Sequence, residues 1–271
     1  MAFERLHSAK SDTGRKRSHN EDRFVVDQTL GLYVVCDGMG GGNAGEIASA
    51  LAVEKIHAHL IEAVRHTDLP LVGPCDATVS APANRLASAI RAANEAVHRE
   101  SWSKPAYAGM GTTVVAALLR EEVLAIAHVG DSRLYLVRNG TIQALTTDHS
   151  WVAEQILKGF ITEKEAERSP QRNIVTKALG VESSVDVELA EVPVRSGDML
   201  LLCSDGLTRG VHSNDILHIL SGPEDLPAMS DRLIVMANEA GGDDNTTVVV
   251  VALRDELQAG LWERLKKQFV A

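Results

Sequence analysis

Acidic residues recur in one setting along this chain: each follows or interrupts an apolar, strand-like run and is flanked by glycine or a small polar residue. They are Asp22 in NEDRF, Asp37 in VVCDGMGG, Asp131 in HVGDSRLY, Asp205 in LLCSDGLT and Asp244 in GGDDNTTV. A carboxylate at the end of a buried strand is penalised by desolvation unless it is paired. Several of them brought together would repel one another unless cations neutralised them. Hard cations such as Mg²⁺ and Mn²⁺ suit an all-oxygen donor set, and these acidic motifs carry neither histidine nor cysteine at zinc-like spacing. Taken singly, an Asp beside a Gly also reads as turn chemistry. The repeated placement at strand ends is what points to a cation site. The stretch VVCDGMGGGNAGEIASALAV sharpens the point, because glycine is kept where a backbone takes unusual angles or approaches something closely.

The elements that must position these acids are mostly short β-rich runs, among them RFVVDQ, LYVVCD, TTVVAALL, VLAIAHVG, SRLYLVRNG, TIQALT, SVDVELAEV, DMLLLCSD and NTTVVVVAL. Turn signals at Arg138-Asn139-Gly140 and Arg195-Ser196-Gly197-Asp198 favour antiparallel hairpins over crossovers. Runs that are apolar on both faces predict strands covered on both sides. Helical spacing appears after Ala44 (Ile47, Leu51, Ile56, Leu60, Val64) and at Leu86, Ile90, Ala93 and Val97. It returns in SNDILHIL, with Ser213 as the cap signal, and at Leu226, Met229, Leu233 and Ala237 before the Gly241-Gly242 stop. The pattern predicts a layered α+β domain over residues 1–254. Residues 149–180 form a mixed, partly helical insertion expected to act as a mobile flap. Residues 255–271 place Leu257, Leu261, Leu265 and Phe269 on one face of an expected helical tail.

Composition narrows the function classes. With 271 residues, 45% of them hydrophobic, the chain can bury a sizeable core, and a formal charge of −10 argues against nucleic-acid or anionic-membrane binding. The N-terminal MAFERLHSAKSDTGRKRSHNED lacks the apolar core of a signal peptide, and no window approaches about eighteen apolar residues, so a cytoplasmic protein without membrane insertion is expected. Cys36, Cys75 and Cys203 show neither a disulfide framework nor metal-ligand pairing, and two of them lie in strand-like runs as core residues.

The ordered set DTGRKRSHNED, CDGMGG, GMGTTVV, VGDSRLYLVRNG, TTDHS, LLCSDGL and DDNTTVVVV resembles the metal-dependent protein phosphatase family, the type 2C serine/threonine phosphatases in their compact bacterial form. The match runs from about residue 8 to about residue 252. The resemblance implies a four-layer αββα fold: a central β-sandwich of two antiparallel sheets flanked by helical pairs, with a metal centre at one end. It implies that Asp37 bridges two Mn²⁺ or Mg²⁺ ions, with the Gly38 carbonyl as a further ligand. Asp205 and Asp244 would hold the first metal, and Glu21 the second, largely through water, with Asp22 in support. Asp131 would join Asp205 at a weaker third ion. Arg17 stands at the family's phosphate-binding arginine, and its planar fork can hold two phosphate oxygens. The implied activity is hydrolysis of phosphoserine and phosphothreonine by a metal-bridging hydroxide, in opposition to a bacterial serine/threonine kinase, by a monomer acting on phosphorylated proteins.

The chain also departs from that pattern. Met39 stands where animal and plant members carry a general-acid histidine; Gly42 or Asn43, and Ser169, stand where bacterial members commonly have others. The proton donor to the leaving group is therefore open between a metal-bound water, His19 and His149. Asp148 and Asn245 read as loop organisers, and Arg172 and Asn173 as flap residues bearing on substrate access. A catalytically silent domain of the same fold is disfavoured by the full complement of acids. A metal-dependent nuclease is disfavoured by the charge and by the lack of interleaved basic and aromatic residues.

Overall fold

A computed structural model describes residues 3–41 and 44–255. Gly42, Asn43 and the expected helical tail beyond Asp255 lie outside the described residues.

The strands are β1 (Phe3–Asp12), β2 (Asp22–Asp27), β3 (Leu32–Met39), β4 (Gly111–Thr112), β5 (Val114–Arg120), β6 (Val123–Val129), β7 (Arg133–Arg138), β8 (Thr141–Ala144), β9 (Glu188–Pro193), β10 (Met199–Cys203) and β11 (Thr246–Asp255). The helices are α1 (Ala44–Arg65), α2 (Ala81–Ser103), α3 (Trp151–Leu157), α4 (Glu163–Ala166), α5 (Asp205–Thr208), α6 (Ser213–Leu220) and α7 (Leu226–Glu239). One sheet has the order β1-β11-β10-β7-β8; the other has the order β2-β3-β5-β6-β9, with short β4 also paired to β3. Every pairing is antiparallel.

Side-chain alternation explains why so many strands are apolar on both faces. In β3, Tyr33 and Val35 point into the space between the sheets, where they meet Leu134, Leu200, Leu202, Val249 and Val251. Val34 and Cys36 point the other way, against Ala48, Ile56, Leu86 and Ile90 of α1 and α2. On the far sheet, Leu201, Cys203, Val248 and Val250 face Ile216, Met229 and Leu233 of α6 and α7. The result is the expected helix–sheet–sheet–helix layering.

Local differences from the sequence reading have physical reasons. The buried face of α1 is narrower and smaller-sided than expected, running through Ala48, Ser49, Ala52, Ile56 and Leu60, and Val64 is exposed near the helix end. Helix α6 begins at Ser213 with His212 as its N-cap and no side-chain cap bond. The Asn139-Gly140 turn does close the β7–β8 hairpin, both residues having positive φ (52° and 72°). The Arg195–Asp198 turn does not close a hairpin, because it carries the chain from β9 in one sheet to β10 in the other. The insertion between β8 and β9 contains α3 and α4; the Ser150–Val175 bridge closes it on itself, and the Thr112–Leu179 bridge and the His149 amide on the Gly130 carbonyl (2.9 Å) tie it to the body. No helix among the described residues is long and apolar enough to cross a membrane.

Candidate metal centre

Both sheets deliver their acids to the same end of the sandwich. Asp37, near the end of β3, lies directly across from Asp22, the first residue of β2, and Glu21 immediately precedes it. Asp131 follows β6, Asp205 follows β10 as the first residue of α5, and Asp244 precedes β11. Asp22, Asp205, Asp131 and Asp244 all act electrostatically on Asp37, so these residues, far apart in sequence, form one cluster.

Glycines make this convergence possible. A Cβ on Gly38 would sit 2.0 Å from the Gly45 carbonyl oxygen and 2.7 Å from that of Glu21. A Cβ on Gly45 would sit 2.4 Å from Glu21 Oε1. The first turn of α1, the end of β3 and the Glu21 segment can therefore approach only while neither position carries a side chain. The Gly38 amide donates to the Glu21 carbonyl at 3.2 Å, fixing that contact.

Asn245 holds the remaining loop. Its Oδ1 accepts from the Glu21 amide (2.7 Å), and its Nδ2 donates to the carbonyls of Thr13 and His19 (2.9 Å each), spanning the segment that carries Arg17. Arg133, which lines the cleft with Asp131 and Asp205, grips Asp148 in a two-point fork at 2.8 and 2.7 Å. Both loop-organiser readings thus have direct hydrogen-bond counterparts.

The electrostatics are those of a site with surplus negative charge. Burial, then Asp22, Asp205, Asp131 and Asp244, pushes the Asp37 carboxyl well above the usual carboxylate range. Burial raises Asp22 to about 7 against the hydrogen bond it accepts from Ser204 Oγ (2.7 Å). Burial, reinforced by Asp205 and Asp148, takes Asp131 to about 7. In Asp205 burial outweighs the attraction of Arg209, and in Glu21 it outweighs that of Arg17, so both are raised. Among the described residues, buried Glu21 Oε1, Asp22 Oδ1 and Asp205 Oδ1 have no hydrogen bond of normal geometry, although the Gly45 amide, Thr247 and Asp37 act on these carboxyls from nearby. Buried polar atoms are normally satisfied, and an all-oxygen set with free acceptors fits a hard divalent cation.

Arg17 lies at the rim, its Nη2 2.9 Å from Asp244 Oδ2 and its Nη1 4.0 Å from Glu21 Oε2. Of the proton-donor candidates, His19 is exposed. His149 is enclosed: its Nδ1 accepts from the Gly130 amide at 3.1 Å, its Nε2 faces Glu188 Oε2 at 3.1 Å, and its ring stacks on His128. With Nδ1 occupied as an acceptor, the Nε2 proton of His149 serves Glu188. His128 gives its Nε2 proton to the Thr147 carbonyl and only stacks on His149. The His128–His149–Glu188 group is therefore a stack with one hydrogen-bonded pair, and the protonated His149 Nε2 has no lone pair to offer a metal. Arg172 and Asn173 of the insertion line a cleft of about 470 Å³ together with Asp131, Asp205 and Arg209. Arg209 is the residue the sequence reading missed. It ion-pairs with both Asp205 and Asp244, and only its position four residues after Asp205, one helical turn on, could have signalled the first of these.

The comparisons with known proteins agree with this geometry. The family model described as protein phosphatase 2C matches residues 13–256. The serine/threonine phosphatase stp of Listeria monocytogenes is 39% identical over 254 residues, covering 93% of this chain and 96% of that protein. The protein phosphatase PhpP of Streptococcus pneumoniae is 34% identical over 252 residues, covering 92% and 98%. Among solved structures, the Mycobacterium tuberculosis serine/threonine phosphatase PstP/Ppp superposes with a TM-score of 0.80 at 37% identity, over 94% of this chain and 100% of that one. The catalytic domain of PstP in complex with two manganese ions gives a TM-score of 0.77 at 35% identity, with the same coverage. With a matching family model over most of its length, and sheets, helices and acid cluster laid out as that family requires, the chain belongs to the protein phosphatase 2C family.

Proposed function

We propose that the clustered acids hold divalent cations and that the chain hydrolyses phosphoserine and phosphothreonine in proteins at this end of the sandwich. In this reading Asp37, with the Gly38 carbonyl, would be shared between two Mn²⁺ or Mg²⁺ ions; Asp205 and Asp244 would help hold one and Glu21 the other, with Asp22 in support and Asp131 joining Asp205 at a weaker third. When bound, such ions activate a water and offset charge on the phosphoryl oxygens during in-line displacement. The chain's own residues do the rest. Arg17, on the rim, presents a guanidinium fork to the phosphate oxygens. Asn245 and Arg133 fix the two loops that border the site. The insertion with Arg172 and Asn173 covers one side, where it would meet residues flanking the phosphorylated side chain. The enclosure of His149 disfavours it as proton donor and leaves that role to water or to exposed His19.

The observation that carries this reading is one cluster of buried acids, in which carboxylate oxygens of Glu21, Asp22 and Asp205 lack a hydrogen bond of normal geometry among the described residues. We place the enzyme in the cytoplasm as a monomer, reversing the action of a serine/threonine kinase on shared protein substrates. The test is phosphate release from a phosphothreonine peptide by chelator-treated protein, with and without added Mn²⁺, beside Asp37→Ala. Activity that requires the metal and disappears in the variant is expected. Near-normal turnover in Asp37→Ala would sink the assigned centre.

A further inference from the structure

Arg209 sits where the proposed centre should least tolerate a cation. From the end of the one-turn helix α5, its guanidinium contacts Asp205 Oδ2 through Nη2 and Asp244 Oδ2 through Nη1. Its side chain is 26% exposed, against 47% for Arg17 on the rim. Asp244 Oδ2 receives both guanidinium groups, since Arg17 Nη2 lies 2.9 Å away. A carboxylate oxygen bound by a divalent cation at roughly 2.0–2.1 Å gives that ion a lone pair and brings its charge close. A guanidinium on the same oxygen would face a like charge within a few ångströms.

We infer that Arg209 is an internal counter-cation that competes with divalent metal for Asp205 and Asp244. The inference rests on the metal-centre reading above and adds to it a residue that sets metal affinity. Arg209 offsets part of the acids' charge from within, so a metal bound through the same Oδ2 atoms must displace it. Space and partners for the displaced side chain are at hand. Arg209 lines the cleft under the insertion, whose other walls include Glu163 and Glu167, so a released guanidinium has alternative carboxylates to meet. Metal loading and the position of the insertion would then be linked through one side chain.

The test is calorimetric titration of Mn²⁺ into the chelator-treated full chain, comparing wild type with Arg209→Gln and Arg209→Lys. Removing the competitor is expected to tighten binding by about fivefold in Arg209→Gln, the upper end for one partly exposed ion pair. Arg209→Lys, whose compact ammonium cannot fork across two carboxylates, should fall between the two. Melting of the chelated proteins supplies a second readout. The Arg209→Gln protein should melt lower than wild type without metal and recover with Mn²⁺. Binding by wild type with equal or weaker binding in both variants would overturn the inference alone. No Mn²⁺ binding by any of the three would overturn the metal-centre reading and this inference with it.

Discussion

The two ends of β10 each carry a buried aspartate, and their surroundings are opposite. Asp198, ahead of the strand, is 1% exposed, and its carboxylate is fully engaged. Arg138 grips it at two points (2.7 and 2.6 Å), and the Arg195 amide adds a third bond at 2.8 Å. Asp205, after the strand, is 8% exposed; Arg209 engages its Oδ2, but among the described residues Oδ1 has no hydrogen bond of normal geometry, and the carboxyl stays raised among like-charged neighbours. One strand thus holds a carboxylate whose surroundings complete it and another whose surroundings leave it short of positive charge. Burial without a partner is costly, so an acid persisting in that condition marks the place where something else supplies the charge.

The same substitution at both ends should separate the two roles. Asp205→Asn is expected to lower kcat/KM by about 10²-fold or more, a few kcal/mol of the stabilisation that bound metal supplies. It should not lower the melting temperature of the chelated protein at pH 8. The sign follows from the raised carboxyl: above its unfolded value the charged form is the costly one in the folded chain, so neutralising it relieves the fold. Asp198→Asn should do the reverse. Replacing the charge-assisted fork to Arg138 is expected to cost roughly 1.5–3 kcal/mol in urea unfolding, with kcat of the folded enzyme unchanged. If Asp198→Asn lost activity while keeping its stability, the division between the two ends would fail.

A smaller effect tests whether the loops around the acid end matter as much as the acids. Asn245 is tied to Glu21, Thr13 and His19 by its amide group alone. Asn245→Ala should weaken Mn²⁺ binding roughly tenfold, as loss of a group that orients metal ligands typically does. It should also cost about 1–3 kcal/mol of stability. Unchanged Mn²⁺ affinity in calorimetry would mean that the Glu21 segment is held by its contacts with Gly38 and Ser49 instead.

Much of this was legible in the sequence because it follows from local periodicity. The faces of α2 and α7, the Asn139-Gly140 hairpin and the placement of each acid at a strand end are set by residues close together in the chain. The CDGMGG glycines announced a close approach, though what approaches, the Gly45 carbonyl and the Glu21 backbone, is visible only in three dimensions. Long-range choices were not legible. The Arg195–Asp198 turn has hairpin chemistry yet changes sheets, since turn residues fix a reversal and not the partner of the next strand. Arg209 stayed hidden for the same reason: its second carboxylate, Asp244, lies 35 residues away.

The smallest expected effect extends the contrast from buried acids to a buried base. His128 is 3% exposed on β6, its Nε2 donates to the Thr147 carbonyl at 2.8 Å, and its ring stacks on that of His149 at 4.8 Å between centroids. It lies across from Val115 on β5 and Glu188 on β9, with Asp148 also near. Burial lowers its pKa from the usual value, and the carbonyl bond and the two acids only partly oppose this. As pH falls below about 6.5 the unfolded chain takes up a proton that the folded chain resists. Stability attributable to His128 is therefore complete above that pH and declines below it. The raised acids act in the opposite sense, so the total slope cannot isolate the histidine, but a difference can. His128→Gln, which can still donate to Thr147, should lose less stability than wild type when urea midpoints are compared at pH 7.5 and pH 5. Parallel pH profiles for the two proteins would mean that Glu188 and Asp148 stabilise the protonated ring enough to cancel its burial. This buried group would then belong with Asp198, whose surroundings complete it, and not with Asp205.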